Sequence, residues 1–344
     1  MDAPLELHRV AELWFDDGNI VLQAGRAQYR VYRGILARQA SVFGDMLAFP
    51  QPAPGTSGDK VDGCPLVQLQ DAEAELTPFL KAIFVPFSFR PFPAPTTADM
   101  VVGCARLGHK YNAPIIRRLA LTHLTSALRT TLAESDATCY ETDKSDRGPS
   151  AVASWDCAWE DHLIALVQLA REIDAPWLLP SLFYLIASKL DSIAGQLVNG
   201  TVIHGAPARL DPGDQERVLR GASRQQQAAW TLAEFMTPAP PSVCHKDTGM
   251  CPLRIMRTAT SAPFRDHVHR HSQVPLSLFD ERLGDDWQGA DWQAVCQTCK
   301  AHLHGELKAA RGAFWDSLPE LYGLPTWAEL ENLKQAAIGD DLLL

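Results

Sequence analysis

Four cysteines in the last third of the chain stand in two pairs. Six residues separate Cys244 from Cys251, and two residues separate Cys296 from Cys299. Cysteine thiolates are preferred zinc ligands, and the second spacing is typical of a zinc knuckle. Four thiolates around one ion leave no open position for water. The pattern therefore predicts a structural zinc ion rather than a catalytic one.

A second interpretation of these cysteines remains open. The 44 residues from 252 to 295 separate the two pairs. Closing such a loop is entropically tolerable, since each doubling of loop length costs about 0.6 kcal/mol. Four reduced thiols, some of them buried as small apolar side chains, explain the same residues. His245, beside Cys244, and His302, three residues after Cys299, are the alternative ligands.

The remaining histidines give a weaker indication of metal binding. His267, His269 and His271 alternate along the chain and would lie on one side of an extended segment. Because nothing implies a fourth ligand nearby, a solvated polar segment is the favoured interpretation. His302 and His304 point about 200° apart on a helix, so they do not share one ion.

No enzyme signature accompanies these residues. The sequence lacks His-Glu-x-x-His, Gly-x-Ser-x-Gly, a phosphate-binding glycine loop and a dinucleotide fingerprint. Its acidic pairs, such as Asp16-Asp17 and Asp285-Asp286, are adjacent in sequence, as in solvated turns. The sequence therefore predicts a protein that is not an enzyme.

The amino-acid composition restricts the remaining classes of protein. The net charge of −10 and the isoelectric point near 5.5 argue against a protein that coats nucleic acid. The first residues lack a basic segment followed by an apolar run, and no run of about 18 apolar residues occurs. We therefore expect an intracellular protein, cytoplasmic or nuclear, that does not enter a membrane, with mostly reduced cysteines.

The elements that carry these residues begin with a hairpin. Residues 19–22 read as a buried strand, and residues 28–32 alternate polar and apolar. Residues 35–47 then follow helical spacing, a strand is predicted at 66–69, and helices at 74–84, 98–110 and 114–128. The mixture predicts an α+β fold with a small sheet and surrounding helices.

The rest of the chain is mainly helical. A loop or linker is predicted at 129–158, a helical region at 159–238 containing a helix at 212–236, and a C-terminal helical region at 244–336 with the cysteines. Residues 105–114 and 170–176 share a helix–turn–helix pattern. In both, Asn112 or Asp174 is expected to cap the following helix, which has proline in its first turn.

The order of these elements resembles a BTB/POZ domain. The resemblance covers residues 12–128 and is carried by FDDGNIVLQAGRAQYRVYRGILARQASVFGDML, CPLVQLQDAEAELTPFLKAIF and ARLGHKYNAPIIRRLALTHL. The later segments WLLPSLFY and FWDSLPELYGLPTWAEL are similar to those that follow BTB domains in large fungal families. The resemblance implies a protein–protein interaction adaptor or scaffold that forms a homodimer through this domain and binds further, unidentified protein partners.

The resemblance also implies an interaction surface around the first two helices. The candidate residues are Asn19, Arg33, Leu36, Val42, Phe43 and Met46. For Leu36 and Phe43 a place in the chain's own core is the favoured alternative. Met46 suits a core position and a surface position equally. Asn19 stands where many members have Asp, and Tyr32 precedes Arg33 where many have His, which puts the family's charged dimer pocket in doubt. Residues 5–14 are a candidate strand for a partner's sheet.

Two other kinds of partner are a cullin-type ubiquitin ligase and nucleic acid. The segment PFSFRPFP lacks the hydrophobic-x-Glu element linked to cullin binding, so recruitment of a cullin-type ubiquitin ligase is possible but not expected. The alternative function is a transcriptional or chromatin regulator whose Cys/His-bearing C-terminal region contacts nucleic acid. Its basic support is confined to Arg254, Arg257, Arg265 and Arg270.

Overall fold

The computed structural model describes residues 6–48, 60–136, 155–156, 162–203, 206–231, 244, 250–279 and 289–339. Most of the predicted linker at 129–158 lies outside them. The chain forms two compact units. The first comprises residues 1–179, 201–208 and 331–344, and the second comprises 180–200 and 209–330. The predicted α+β class is confirmed. Within the described residues a five-stranded sheet lies near the N-terminus, two further sheets have two short strands each, and the other elements are helices.

The main sheet of the first unit has five strands in the order β1-β3-β2-β5-β4. They are β1 (His8–Trp14), β2 (Ile20–Ala24), β3 (Ala27–Val31), β4 (Lys60–Val61) and β5 (Cys64–Leu69). The predicted hairpin is confirmed: β2 and β3 pair antiparallel from Ile20 opposite Val31 to Ala24 opposite Ala27. Gly25 makes the turn between them at φ +55°.

Strand β1 lies at an edge of this chain's own sheet. It runs parallel to β3, and its register is irregular between Arg9 and Trp14. Charged side chains cover this edge, since Arg9 pairs with Asp62 at 3.0 Å and Glu12 pairs with Lys81. Irregular pairing and surface charge both discourage edge-to-edge association of sheets.

Helices surround the sheet. They are α1 (Arg33–Gln39), α2 (Ser41–Ala48), α3 (Glu73–Phe84), α4 (Ala98–Lys110), α5 (Pro114–Ala127) and α6 (Leu163–Glu172). The predicted helices at 74–84, 98–110 and 114–128 are therefore confirmed to within one residue. Helices α3 and α4 pack closely because Gly103 has no side chain; a Cβ there would lie 2.8 Å from the Glu75 carbonyl oxygen.

The two similar turns end helices in the same way. Asn112 and Asp174 have left-handed φ values of +50° and +54°. The next N–H groups, of Ala113 and Ala175, donate to the carbonyls of Gly108 and Ala170 at 2.8 and 2.9 Å. These are Schellman-type bonds. The prediction that Asn112 and Asp174 cap the following helix is wrong, because the alanines hold that position and the polar residues close the helix before.

Helices also make up the later part of the chain. They are α7 (Leu179–Ser188), α8 (Leu190–Asn199), α9 (Pro212–Trp230), α10 (Met250–Thr260), α11 (Ala262–His271), α12 (Pro275–Leu278), α13 (Ala290–Gln293), α14 (Gln297–Leu321) and α15 (Trp327–Ile338). The helix predicted at 212–236 is confirmed to Trp230, and its last residues lie outside the described part. No helix within the described residues combines the length and apolarity that a membrane crossing requires.

The second unit packs around one buried tyrosine. Tyr322 is 1% exposed, and its ring occupies the place of a side chain at Gly221, where a Cβ would lie 2.0 Å from the ring. The Tyr322 hydroxyl donates to Gln225 Oε1 at 2.6 Å, and Gln225 Nε2 donates to Ser188 Oγ at 3.0 Å. Helices α7, α9 and α14 are thus joined by a satisfied polar network.

Candidate metal centre

The four predicted ligands come together in the second unit. The Sγ atoms of Cys244, Cys251, Cys296 and Cys299 all lie within 4.8 Å of one another. With zinc–sulfur bonds of about 2.3 Å, a tetrahedral site separates its sulfurs by about 3.8 Å. The cluster therefore has the donor set and nearly the dimensions of a four-thiolate metal site.

Helix starts position three of these thiols. Cys251 is the second residue of α10, Cys296 directly precedes α14, and Cys299 is in the first turn of α14. Residues three apart at a helix start face the same side. The positive end of the 25-residue helix α14 favours negative charge on the thiols beside it.

Three of these thiols have pKa values shifted by their surroundings. Interaction with the backbone N–H of Cys299 lowers the pKa of Cys296 to about 7. Burial raises the pKa of both Cys251 and Cys299. Four thiolates this close repel one another in the absence of a cation. A divalent ion reverses this effect, because its charge favours the deprotonated form of every ligand.

Packing fixes the two helix starts relative to each other. The Cys296 N–H donates to Cys251 Sγ at 3.4 Å, and Arg254 Nη1 donates to the Ala294 carbonyl at 2.7 Å. Trp292 is 2% exposed, and the Lys300 ammonium lies 5.2 Å from the centre of its ring. Ligands held in this way by backbone and core contacts suit a structural ion.

The histidines do not join the cluster. His302 is not part of it, and His245 lies outside the described residues. The extended arrangement that would have aligned His267, His269 and His271 for a metal is not present, because these residues belong to α11. With helical periodicity the rings of His267 and His271 lie 4.3 Å apart, whereas His269 is exposed elsewhere on the helix. Within the described part of the chain, the cysteines form the one group of three or more potential ligands.

The surface predicted around α1 and α2 needs a correction. Leu36 and Phe43 are both 0% exposed, and the Phe43 ring stacks on Tyr111 at 4.1 Å. They belong to the core, so they do not offer a surface. Val42 is 39% exposed and Met46 is partly exposed. Ile35, which is not among the predicted surface residues, is 44% exposed.

Asn19 and Arg33 hold the helices in place. Asn19 Oδ1 accepts a hydrogen bond from the Arg33 N–H at 2.8 Å, at the start of α1. The Arg33 guanidinium donates to the Leu47 carbonyl near the end of α2. Both residues thus have structural partners within the chain. Asn19 also lines an open depression of about 610 Å³, together with Tyr32, Gly34, Ile35, Arg38 and Gln39.

Comparison with known proteins adds no relative. No family model matches the chain, and neither a curated protein nor a solved structure matches it.

Proposed function

We propose that this protein is a non-enzymatic interaction adaptor. Its first unit contains a BTB/POZ domain that self-associates through α1 and α2, and a structural zinc ion binds the four cysteines of its second unit. Exposure of Ile35 and Val42 on two consecutive short helices is the observation that carries the adaptor part. Apolar side chains grouped on a surface are typical of protein interaction sites.

The buried residues beneath this surface support the same proposal. Leu36 and Phe43 anchor α1 and α2 in the core, so the outward side chains are held on a fixed platform. A pre-formed surface loses little conformational freedom on binding. The order of the sheet and helices agrees with the order that the BTB resemblance implies.

The locations of the titratable groups whose pKa is raised mainly by burial favour binding over catalysis. In the first unit, burial raises the pKa of Tyr29 to about 12 and also raises the pKa of Cys104 and Tyr111. All three side chains lie in the core. Catalytic groups with shifted pKa values typically line a cleft that admits substrate.

Three of the four basic residues that could support nucleic-acid binding have partners already. Arg254 donates to the Ala294 carbonyl, Arg257 pairs with Asp291 at 4.0 Å, and Arg270 pairs with Asp266 at 3.2 Å. Phosphate binding requires available cations. These contacts favour the adaptor over the chromatin regulator.

Light scattering tests self-association. The molar mass of the full chain should rise with concentration toward twice the monomer mass. Val42→Asp places a charge on the exposed face and should shift this transition to higher concentration, because the carboxylate must lose water to enter an interface. Leu219→Asp, at a residue 52% exposed in the second unit, is the matched control and should not change it. A monomer at every accessible concentration contradicts the self-association proposal.

Metal analysis tests the zinc centre. The purified chain should contain about one equivalent of zinc, as expected for a closed four-thiolate site. Cys296→Ser and Cys299→Ser should each lower the zinc content sharply. Cys64→Ser is the control, since Cys64 lies in the first unit and its Sγ donates to the Gly18 carbonyl at 3.2 Å, a bond that serine preserves. Zinc that is substoichiometric in the parent chain and unchanged in the variants would falsify the proposal.

A further inference from the structure

The four cysteines of the metal centre differ in their access to solvent. Cys251 is 0% exposed and Cys299 is 1% exposed, whereas Cys244 and Cys296 are partly exposed. A small reagent in the solvent therefore reaches Cys244 or Cys296 first. Oxidation of cysteine follows thiolate character and access, and a zinc ligand is already a thiolate. The centre thus holds two reactive sulfurs that solvent can reach.

The position of Cys296 distinguishes it from Cys244. Cys296 directly precedes α14 and Cys299 lies in its first turn, so the two form a Cys-x-x-Cys pair at a helix start. Cα atoms three residues apart in a helix are separated by about 5 Å, within the range of about 4.4–6.8 Å found in disulfides. The two sulfurs already lie within 4.8 Å of each other. A disulfide between them therefore needs movement of the side chains and little movement of the backbone.

Cys251 is the competing partner for Cys296. It belongs to α10, and its Sγ accepts the N–H of Cys296 at 3.4 Å. A bond between these two sulfurs would join two helices whose separation is already fixed, because Arg254 Nη1 donates to the Ala294 carbonyl at 2.7 Å. A bond to Cys299 stays within one turn of α14. The Cys-x-x-Cys pair is therefore the favoured disulfide.

Formation of this disulfide would remove two of the four zinc ligands. Zinc binds thiolate sulfur, and the sulfurs of a disulfide carry no negative charge. Cys244 and Cys251 alone would leave the ion with two protein ligands, too few for a closed tetrahedral site. Since the bound ion would connect Cys251 on α10 to the start of α14, its release would loosen the connection between these helices.

We propose that this centre is a redox switch in which hydrogen peroxide oxidises Cys296 and Cys299 to a disulfide and the zinc ion is released. The Cys296 sulfur attacks one peroxide oxygen, the O–O bond breaks and hydroxide leaves, which gives a sulfenic acid. The Cys299 thiolate then attacks the Cys296 sulfur, and the S–O bond breaks with loss of a second hydroxide. The two thiolates together lose two electrons, which the peroxide gains. The inference rests on the proposed zinc centre and adds its regulation.

Peroxide titration of the zinc-loaded full chain tests the switch. About one equivalent of hydrogen peroxide should release about one equivalent of zinc to a coloured zinc indicator. The peptide that contains both Cys296 and Cys299 should lose the mass of two hydrogens, and a thiol reductant should restore zinc binding. Cys64 and Cys104 are internal controls, because both are buried thiols of the first unit and should stay reduced.

A histidine variant separates zinc binding from oxidation. Cys296→His keeps three cysteines and one histidine, a ligand set that zinc accepts, but removes the attacking sulfur. It should retain its zinc at the peroxide concentration that empties the parent chain. If this variant binds no zinc, the disulfide mapped in the parent remains the deciding result. Zinc retained by the parent in excess peroxide, or a disulfide that involves Cys244 or Cys251 instead, overturns this inference and leaves the proposed zinc centre standing. A parent chain that contains no zinc before peroxide is added overturns both.

Discussion

The four thiols of the second unit lie within 4.8 Å of one another, and two of them are fully buried. Three apolar side chains of the first unit, Ile35 of α1, Val42 of α2 and Phe87 of the loop after α3, lie outward instead. The first arrangement is completed by one ion, whereas the second is completed by a protein surface. Loss of the ion should therefore reduce the stability of its unit, and loss of the surface should reduce association without unfolding the chain.

Metal removal should have the largest effect. Structural zinc contributes about 10–16 kcal/mol of apparent free energy to small zinc-dependent domains at neutral pH. Chelation should therefore unfold α10 and the start of α14, while the sheet of the first unit persists. Hydrogen exchange measured with and without chelator checks this. Equal loss of protection in both units would contradict a site that acts locally.

The same centre should release its metal as the pH falls. Zinc binds thiolates, and burial raises the pKa of Cys251 and Cys299, so protons compete for these ligands. Affinity should be highest above neutral pH and fall steadily toward about pH 5.5. A competition titration with a zinc indicator checks this. Affinity independent of pH would argue against thiolate ligands.

Adjacent residues on α2 should separate stability from association. Phe43→Ala should cost about 3–5 kcal/mol in the free energy of unfolding, because a fully buried ring leaves a cavity. Val42→Ala should cost less than about 0.5 kcal/mol, as at exposed sites, and weaken self-association. Urea unfolding beside light scattering measures both. A stability loss of similar size in the two variants would remove the distinction between core and surface.

Two glycines should respond to the same substitution in opposite directions. Gly221→Ala places a Cβ 2.0 Å from the Tyr322 ring and should cost about 1–3 kcal/mol of stability, since overpacking displaces the ring. Gly195→Ala, on α8 of the same unit, meets nothing within 4 Å and should stabilise by about 0.5–1 kcal/mol. Thermal unfolding of both variants measures these two changes in stability. If Gly221→Ala left the stability unchanged, α9 and Tyr322 would not be tightly packed at this position.

A small expected effect on stability concerns Phe87. Phe87→Asn should raise stability by about 0.5–1 kcal/mol, because asparagine accepts the left-handed backbone that phenylalanine resists. The gain would indicate that the ring is retained for binding at a cost in stability. Thermal unfolding of Phe87→Asn beside Trp230→Asn, at another exposed aromatic residue, measures it. A destabilised Phe87→Asn would show that the ring packs within its own chain.

Local patterns predicted the elements and the cysteine cluster well. Some features depend only on residues that are close together in the sequence, so they can be predicted from it. These are the turn at Gly25, the alternation in β3 and the helical spacing of α3 to α5. The cluster was predictable because four thiols at suitable spacings have few other joint roles. The helical state of His267 to His271 was missed, because alternation over five residues does not exclude a helix.

Exposure was less predictable than secondary structure. Leu36 and Phe43 turn inward and Ile35 and Val42 turn outward, yet all four are apolar residues on two short helices. Which side faces the core depends on how α1 and α2 pack on the sheet, which no single segment determines. Phe87 was missed for the same reason: its proline-rich loop has no periodicity, and its exposure follows from the anchoring of Ser88 and Phe89.

The central claim is that the exposed apolar face of the first unit exists to bind another polypeptide. Light scattering of the zinc-loaded full chain over a wide concentration range tests it most directly. The account predicts a molar mass that rises from 37.8 kDa toward twice that value, with Val42→Asp shifting the transition to higher concentration. A mass that stays at 37.8 kDa at all concentrations, in parent and variant alike, would contradict it.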